Sequence, residues 1–181
     1  FDIDAIFNMF GARFHPGMHQ QRQQARMTLW ITLVDSAQGG LRTISVGTQH
    51  GTQAVEIDIP KGIEDGDNVQ YGGIGPGGMD LIVNYRIHPH PRWQRNGTNL
   101  ITEQAISIWD LILGADVPIN DILGNRLMLT VPPNTQPGSL LRLRGRGMPS
   151  RNMPTGDLIV RVQAQIPDTI SPELLELIEK N

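Results

Sequence analysis

The chain has 181 residues, a formal net charge of −3 and no cysteine. This length allows one large or two small domains, the mildly acidic charge argues against nucleic acid as a partner, and the lack of cysteine excludes disulfides and thiolate metal sites. No apolar run approaches the roughly eighteen residues of a membrane span and no stretch resembles a signal peptide, so we expect no membrane partner. The lack of cysteine favours a reducing cytosol, so we expect a cytoplasmic protein.

Residues 1–25 carry Phe, Gly, Met, Gln and His without a sustained period, which predicts a flexible arm. Because residue 1 is Phe and not an initiator Met, we expect the chain to begin inside a longer product. An apolar cluster between Ile3 and Phe10 could form one helical turn or a detachable ligand for a groove elsewhere, and a disordered linker explains it equally well.

Residues 27–33 alternate between apolar and mostly polar positions, which predicts a half-buried strand. Residues 34–40 then predict a short helical turn that ends at Gly-Gly, and residues 41–46 a second strand. A polar turn with Gly, an alternating run at Val69 and Tyr71, a Gly-x-Gly corner and an apolar strand from Asp80 follow.

The same order of elements occurs a second time. Gly66, Gly73 and Gly75 are matched 72 residues later by glycines, and the strand beginning at Asp80 is matched 77 residues later at Asp157, so the second loop is five residues longer. Internal repetition defines the building unit of a fold. We therefore predict a mainly β protein of two tandem small β-sandwich-like modules with short helices, at residues 26–95 and 96–167, joined by a tight turn at Asn96-Gly97.

Residues 168–181 predict a C-terminal helix, with Ser171 as N-cap and Pro172 in its first position. Its apolar stripe consists of Leu174, Leu175, Leu177 and Ile178. A helix this short is not stable alone, so the stripe must pack on a second copy of the chain or on the second module of its own chain. We predict the first alternative, a homodimer.

Several patterns that suggest chemistry lack the context that the chemistry needs. Gly73-x-Gly75-x-x-Gly78 fits a dinucleotide fingerprint, but the residues after it predict a strand and not the required helix. His88-Pro-His90-Pro has no acidic or thiol ligand nearby and is interpreted as a solvent-facing turn. The alternating arginines at 142, 144 and 146 favour a solvated face or an acidic-peptide contact over phosphate binding. We therefore predict no catalytic site, no metal and no cofactor.

Four runs of the sequence resemble the C-terminal region of DnaJ-family co-chaperones. They are IPKGIEDG at 59–66, HPHPRWQRNG at 88–97, VPPNTQPG at 131–138 and LRLRGRGMP at 141–149. The similarity extends over about 26–178, and FNMFG at 7–11 resembles the Gly/Phe-rich linker of that family. The resemblance implies a co-chaperone fragment, not an enzyme, that binds unfolded polypeptides and presents them to a DnaK-type ATPase.

By position, the resemblance implies three sites. The client groove is expected at Met27, Leu29, Ile44, Val46 and Trp93, although the alternation of Ile44 and Val46 would equally place them in the core. Arg42 is expected to bind the acidic tail of the DnaK-type partner, and the C-terminal stripe is expected to form the dimer.

Three departures from the family pattern matter. The J-domain is not found in the sequence, so this chain alone is not expected to activate a DnaK-type partner, and only residues 47–54 stand where one branch carries a zinc module. The chain therefore resembles the zinc-free branch. Met79 replaces the usual Gly before Asp80. Two other classes stay open: a structural or assembly protein built on tandem β-modules, and a carbohydrate-binding module, which would need an exposed aromatic platform that Trp30, Trp93 and Trp109 are not expected to form.

Overall fold

The computed structural model describes residues 24–48 and 51–180. The predicted arm, apart from its last two residues, and the apolar cluster between Ile3 and Phe10 lie outside the described residues. Among the residues described, no helix is long and apolar enough to cross a membrane.

The first repeat unit contains, in chain order, β1 (Gln24–Ile31), α1 (Leu33–Gln38), β2 (Gly40–Thr48), β3 (Gly51–Ile59), β4 (Asn68–Tyr71) and β5 (Asp80–Ile87). β1 runs parallel to β5, and β4 pairs antiparallel with the other edge of β5. β2 and β3 form a separate antiparallel sheet.

The second repeat unit contains β7 (Asn99–Ser107), α2 (Ile108–Leu113), β8 (Ala115–Asn120), β9 (Arg126–Val131), β10 (Leu140–Leu143) and β11 (Leu158–Gln165). β7 is parallel to β11, β10 pairs with β11, and β8 and β9 form their own sheet, as in the first unit. A short strand before this unit, β6 (Gln94–Asn96), adds to β7 through a turn in which Gly97 has a φ of 58°. The tight turn predicted at this point is confirmed.

The repeat also preserves hydrogen bonds at its Gly-rich corner. The backbone N–H of Gly73 donates to the carboxylate of Asp80, and that of Gly145 donates to Asp157, both at 2.9 Å. Both glycines have positive φ, 70° and 67°, which a residue with a Cβ rarely adopts. The predicted mainly β fold with small sheets and short helices is therefore confirmed.

The two short helices begin and end at equivalent residues. Thr32 caps α1 and Ser107 caps α2 with their hydroxyl groups, and the helices end at Gly39 and Gly114. Because Thr32 already acts as an N-cap, β1 ends at Ile31, so the prediction of a strand over residues 27–33 was wrong at its end.

Buried apolar side chains form two clusters. The first core lies between the two sheets of the first unit and includes Ile31, Ile57, Leu81, Val83 and Tyr85. The second core includes Leu100, Met148, Leu158 and Val160, and also Leu33 and Ala37 from α1. The helix of the first unit thus packs into the core of the second, which joins the two units.

The corner with Met79 in place of Gly keeps the hydrogen bond of its counterpart. Gly75 donates to the carbonyl of Met79, and Gly147 donates to the carbonyl of Gly156, both at 2.8 Å. A Cβ at Gly156 would lie 2.0 Å from the carbonyl oxygen of Thr98. The glycine is required only in the second unit, because only there does another backbone approach so closely.

The predicted C-terminal helix is confirmed as α3 (Pro172–Glu179). The hydroxyl of Ser171 accepts a hydrogen bond from the backbone N–H of Leu174 at 3.4 Å. Leu175, Leu177 and Ile178 remain 44%, 60% and 54% exposed. Much of the apolar stripe is therefore exposed in the described part of the chain, and Leu174 is half-buried.

Candidate functional site

Four of the five predicted groove residues lie together on β1 and β2. Ile44 and Val46 are each 7% exposed and belong to the first core, whereas Met27 and Leu29 are half-buried at its margin. This difference follows from the strand pattern, because the inward positions of β2 face the centre of the sandwich. Met27 and Leu29 are the members of this group that a ligand can reach directly.

A surface depression of about 550 Å³ lies beside β1. It is lined by Arg26, Met27, Thr28, Asn68, Ile82 and Asn84. The methionine gives it an adaptable apolar wall, since the thioether side chain is unbranched and polarizable. Ile82 is also apolar, and Arg26, Thr28, Asn68 and Asn84 supply guanidinium, hydroxyl and amide hydrogen-bonding groups. Such a surface can accommodate a polypeptide but holds no arrangement of a nucleophile and a base.

The structure does not bring Trp93 together with the other four groove residues. Trp93 is 6% exposed and packs in the second core, where the guanidinium of Arg92 lies 5.2 Å from its ring centroid. It lines a separate cleft of about 620 Å³, the junction cleft, which includes Leu33, Ile87, Pro89 and the charged rim residues Glu64, Asp65 and Arg95.

Arg42 lies on β2 with its side chain 48% exposed and forms an ion pair with Asp35 of α1. Burial raises the pKa of Asp35, but hydrogen bonds from Thr32 and the charge of Arg42 outweigh it, so the pKa lies below its usual value. An acidic ligand at this position must share the guanidinium with Asp35 or displace it.

An exposed aromatic cluster lies on the outer face of β1 and β5. Trp30 is 50% exposed, its ring stacks on His88 at a centroid distance of 4.8 Å, and the guanidinium carbon of Arg86 lies 5.3 Å from its centroid. Arg86 is in turn held by Asp65 at 3.0 Å. Trp30 therefore does not lie in the core, and its even-numbered position in an alternating strand is the signal that could have placed it on the outer face.

Arg95 of β6 holds the two units together, a role that no local sequence pattern indicates. Its guanidinium donates to the carbonyl groups of Ile63 at 2.6 Å and Gly62 at 3.0 Å, and to the hydroxyl of Ser36 at 3.2 Å. Burial lowers the pKa of Arg95 from its usual value, and Glu64 opposes this shift. These partners lie far from Arg95 in sequence, so spacing could not have predicted the contact.

His90 serves the backbone of the turn that leads to β6. Its Nδ1 accepts hydrogen bonds from the backbone N–H groups of Arg92 and Trp93, at 3.1 and 3.2 Å. The ring therefore stabilises the Pro-rich segment between the two units, and the interpretation of His88 and His90 as turn residues agrees with this geometry.

The geometry defines a tandem β protein with reachable apolar strand positions and an uncovered apolar helix. A family model of the DnaJ C terminal domain matches residues 25–167. "Chaperone protein DnaJ" of Thermotoga petrophila is 38% identical over 129 residues, which cover 68% of this chain and 35% of that protein. The protein of the same name from Agrobacterium fabrum is 35% identical over 135 residues, covering 71% and 36%. That from Pelagibacter ubique is 34% identical over 141 residues, covering 74% and 38%.

The chain belongs to the DnaJ C-terminal domain family. It spans between 35% and 38% of the length of these curated relatives.

Proposed function

We propose that this chain is the polypeptide-binding part of a co-chaperone: it holds unfolded polypeptide and presents it to a DnaK-type ATPase. It works by binding and not by catalysis, and we place it in the cytoplasm because of its cysteine-free composition. The observation that carries the proposal is that Met27 and Leu29 are half-buried on β1 and that Met27 lines a depression of about 550 Å³. Family membership supports the class of ligand.

In this proposal residues 26–95 form the client-binding module. Met27 and Leu29 contact the client, and the buried Ile44 and Val46 pack in the core beneath them. Ile44 and Val46 act through packing, since their side chains are buried and not open to a ligand. Trp93 shapes the junction cleft and contributes to client binding only through the position of the second unit.

The test is Leu29→Ser, measured by fluorescence anisotropy of a labelled unfolded peptide and by thermal unfolding. We expect peptide binding to weaken about tenfold, because a reachable apolar contact is lost. The stability loss should stay below about 2 kcal/mol, because the side chain is only half-buried. Met128→Ser is the control, since Met128 is 52% exposed on β9 in the other unit. A large stability loss with unchanged peptide affinity would assign Leu29 to the core alone.

We further propose that Arg42 binds the acidic tail of a DnaK-type partner. Its position on β2 beside Val46 and Ile44 supports this, and an exposed ion pair contributes only about 0 to 1 kcal/mol, so apolar contacts must assist. Arg42→Ala should weaken the binding of an acidic peptide at low salt. Asp35→Asn should strengthen the binding of this peptide, because the guanidinium of Arg42 then no longer pairs with the carboxylate of Asp35. Equal affinity for all three proteins would refute the site.

We also propose that residues 168–181 form a homodimer through α3, with α2 of the second copy as acceptor. The repeat supports this acceptor. Ala37 on α1 is 2% exposed because the second unit covers it, whereas its counterpart Ile112 on α2 is 48% exposed and the next residue, Leu113, is 76% exposed. The exposed face of α2 is thus more apolar than the covered face of α1. Large exposed apolar patches are rare on monomers.

A further inference from the structure

A small pocket lies at the joint between the two units, beside the Gly-rich corner of the second unit. Its volume is about 200 Å³. Lys61 of the first unit and Arg146 of the second unit both line it, and the turn between β8 and β9 contributes Asp121, Leu123 and Asn125. Each unit therefore supplies one cationic side chain to the same pocket.

The repeat shows that the fold does not require these cations. Arg146 is the middle residue of the second Gly-x-Gly corner, and the residue at the equivalent position, 72 residues earlier, is Ile74. Ile74 packs against the first core, whereas Arg146 is exposed. In the same register, Lys61 corresponds to Pro133 of the second unit. Both cations are therefore features of this joint and not of the repeated β unit.

The positive charge of the pocket is not neutralised within the described part of the chain. Neither Lys61 nor Arg146 forms an ion pair or a side-chain hydrogen bond with another described residue. Asp121 is the carboxylate in the lining, and it accepts hydrogen bonds from the backbone N–H groups of Leu123 and Asn125, at 2.9 and 2.8 Å, and from the amide of Asn125 at 3.0 Å. Most of its acceptor capacity is thus used within its own turn.

Hydrogen bonds of the backbone hold both cations in place. The residue after Lys61 donates its N–H to the carbonyl of Ser36 at 2.7 Å, and the residue after Arg146 donates its N–H to the carbonyl of Gly156 at 2.8 Å. Little backbone freedom therefore remains to be lost when a ligand binds. An anion between the two side chains also removes the repulsion between their like charges.

We propose that this pocket binds the carboxylate of an acidic side chain that has an apolar neighbour in the same polypeptide. This inference rests on the proposed polypeptide-binding function and adds a contact for the client apart from Met27 and Leu29. The volume of about 200 Å³ is below the roughly 300 to 1,000 Å³ of small-molecule sites, so the pocket takes one side chain. Lys61 and Arg146 hold the carboxylate by charge-assisted hydrogen bonds.

The apolar rim of the pocket favours a polypeptide over a free small carboxylate. Leu123 is 46% exposed, and Pro149, on the opposite side of the joint from Lys61, is half-buried. An acidic residue next to an apolar one fills the charged part of the pocket and covers this rim, which removes apolar surface from water. A free carboxylate such as acetate leaves the rim exposed.

NMR titration of the isotope-labelled full chain measures this binding. The probes are the end-blocked peptide Gly-Leu-Glu-Gly, its counterpart Gly-Leu-Gln-Gly, and acetate. We expect the Glu peptide to shift the amide signals of Leu123 and Gly147 to saturation and to bind at least about fivefold more tightly than the other two probes. Equal affinity for the Glu and Gln peptides overturns the carboxylate site. Equal affinity for the Glu peptide and acetate overturns the assignment to a polypeptide.

Lys61→Gln and Arg146→Gln remove the two charges one at a time, and both side chains are exposed, so both variants should fold. Each should weaken the binding of the Glu peptide about threefold, and the double variant should lose the preference for Glu over Gln. Arg144→Gln is the matched control, since Arg144 is exposed close to Arg146 but does not line the pocket. A preference that survives in the double variant, or that Arg144→Gln reduces as strongly as Arg146→Gln, overturns the site.

Suppression of aggregation by the same proteins separates this site from the proposed function. If the native chain holds an unfolded protein but shows no preference for the Glu peptide, the pocket assignment alone fails. If the native chain binds the Glu peptide at this pocket but holds no unfolded protein, the proposed function fails, and the role of the pocket in client binding fails with it.

Discussion

The double variant Leu177→Ser/Ile178→Ser tests how the chain associates. The two side chains are 60% and 54% exposed in the isolated chain, so roughly half of the surface of each is available to a partner. Full burial of such a side chain is worth about 1.5 to 3 kcal/mol, which gives about 1 to 1.5 kcal/mol per residue on association. A dimer contains each residue twice, so the variant should lose about 4 to 6 kcal/mol, or roughly a thousandfold or more in dimer Kd.

Sedimentation velocity over a wide concentration range measures this loss. The control is Glu176→Ser, which shortens a side chain on the same helix whose carboxylate lies 3.8 Å from Lys180 in an exposed pair. A chain that ends at Pro167 removes the whole helix and should be monomeric. If the double variant and the truncated chain dimerise as the native chain does, α3 is not the interface, and the uncovered stripe needs another explanation.

Three further predictions concern the joint between the two units and its neighbour Asp35. Gly62→Ala should destabilise the fold by about 1 to 3 kcal/mol more than Gly66→Ala in denaturant unfolding, because both glycines have positive φ but only at Gly62 would a Cβ meet the carbonyl oxygen of Pro149, at 2.3 Å. Equal losses of stability for the two variants would show that the backbone of Pro149 does not restrict a side chain at position 62. Arg95→Lys should lower the free energy of unfolding by about 2 to 3 kcal/mol, since an ammonium group cannot bind the carbonyls of both Gly62 and Ile63. A loss under about 0.5 kcal/mol would contradict the role of Arg95 in joining the two units. Asp35 has a lowered pKa when folded, so its contribution is present above the unfolded value of about 3.9 and is lost as the pH falls below it. The stability difference between the native chain and Asp35→Asn should therefore shrink below about pH 4, and a constant difference would refute this role.

Local signals in the sequence predicted the fold well. The spacing of Gly73 and Gly145 marked equivalent corners, and both donate to the following Asp as equivalent residues should. Caps are also local, so the helix at the C-terminus could be predicted from Ser171 and Pro172. Element ends were less accurate, because Thr32 fits both an alternating strand and an N-cap, and the helix outcompeted the strand.

Accessibility could not be predicted in the same way. Met27 and Ile44 both occupy alternating apolar positions, yet one is half-buried and the other 7% exposed, since the difference depends on how the two sheets pack. Trp93 follows the first unit in sequence and packs in the second core. Arg95 reaches carbonyl groups more than thirty residues away, a contact that depends on how the two units pack.

If the proposed function is right, this chain alone binds unfolded polypeptide. The most direct measurement is light scattering of a chemically unfolded test protein diluted into buffer with increasing amounts of the native chain, compared with Leu29→Ser at the same concentrations. We expect the native chain to suppress aggregation in proportion to its concentration and Leu29→Ser to do so much less. Undiminished aggregation with the native chain in several-fold excess would contradict it.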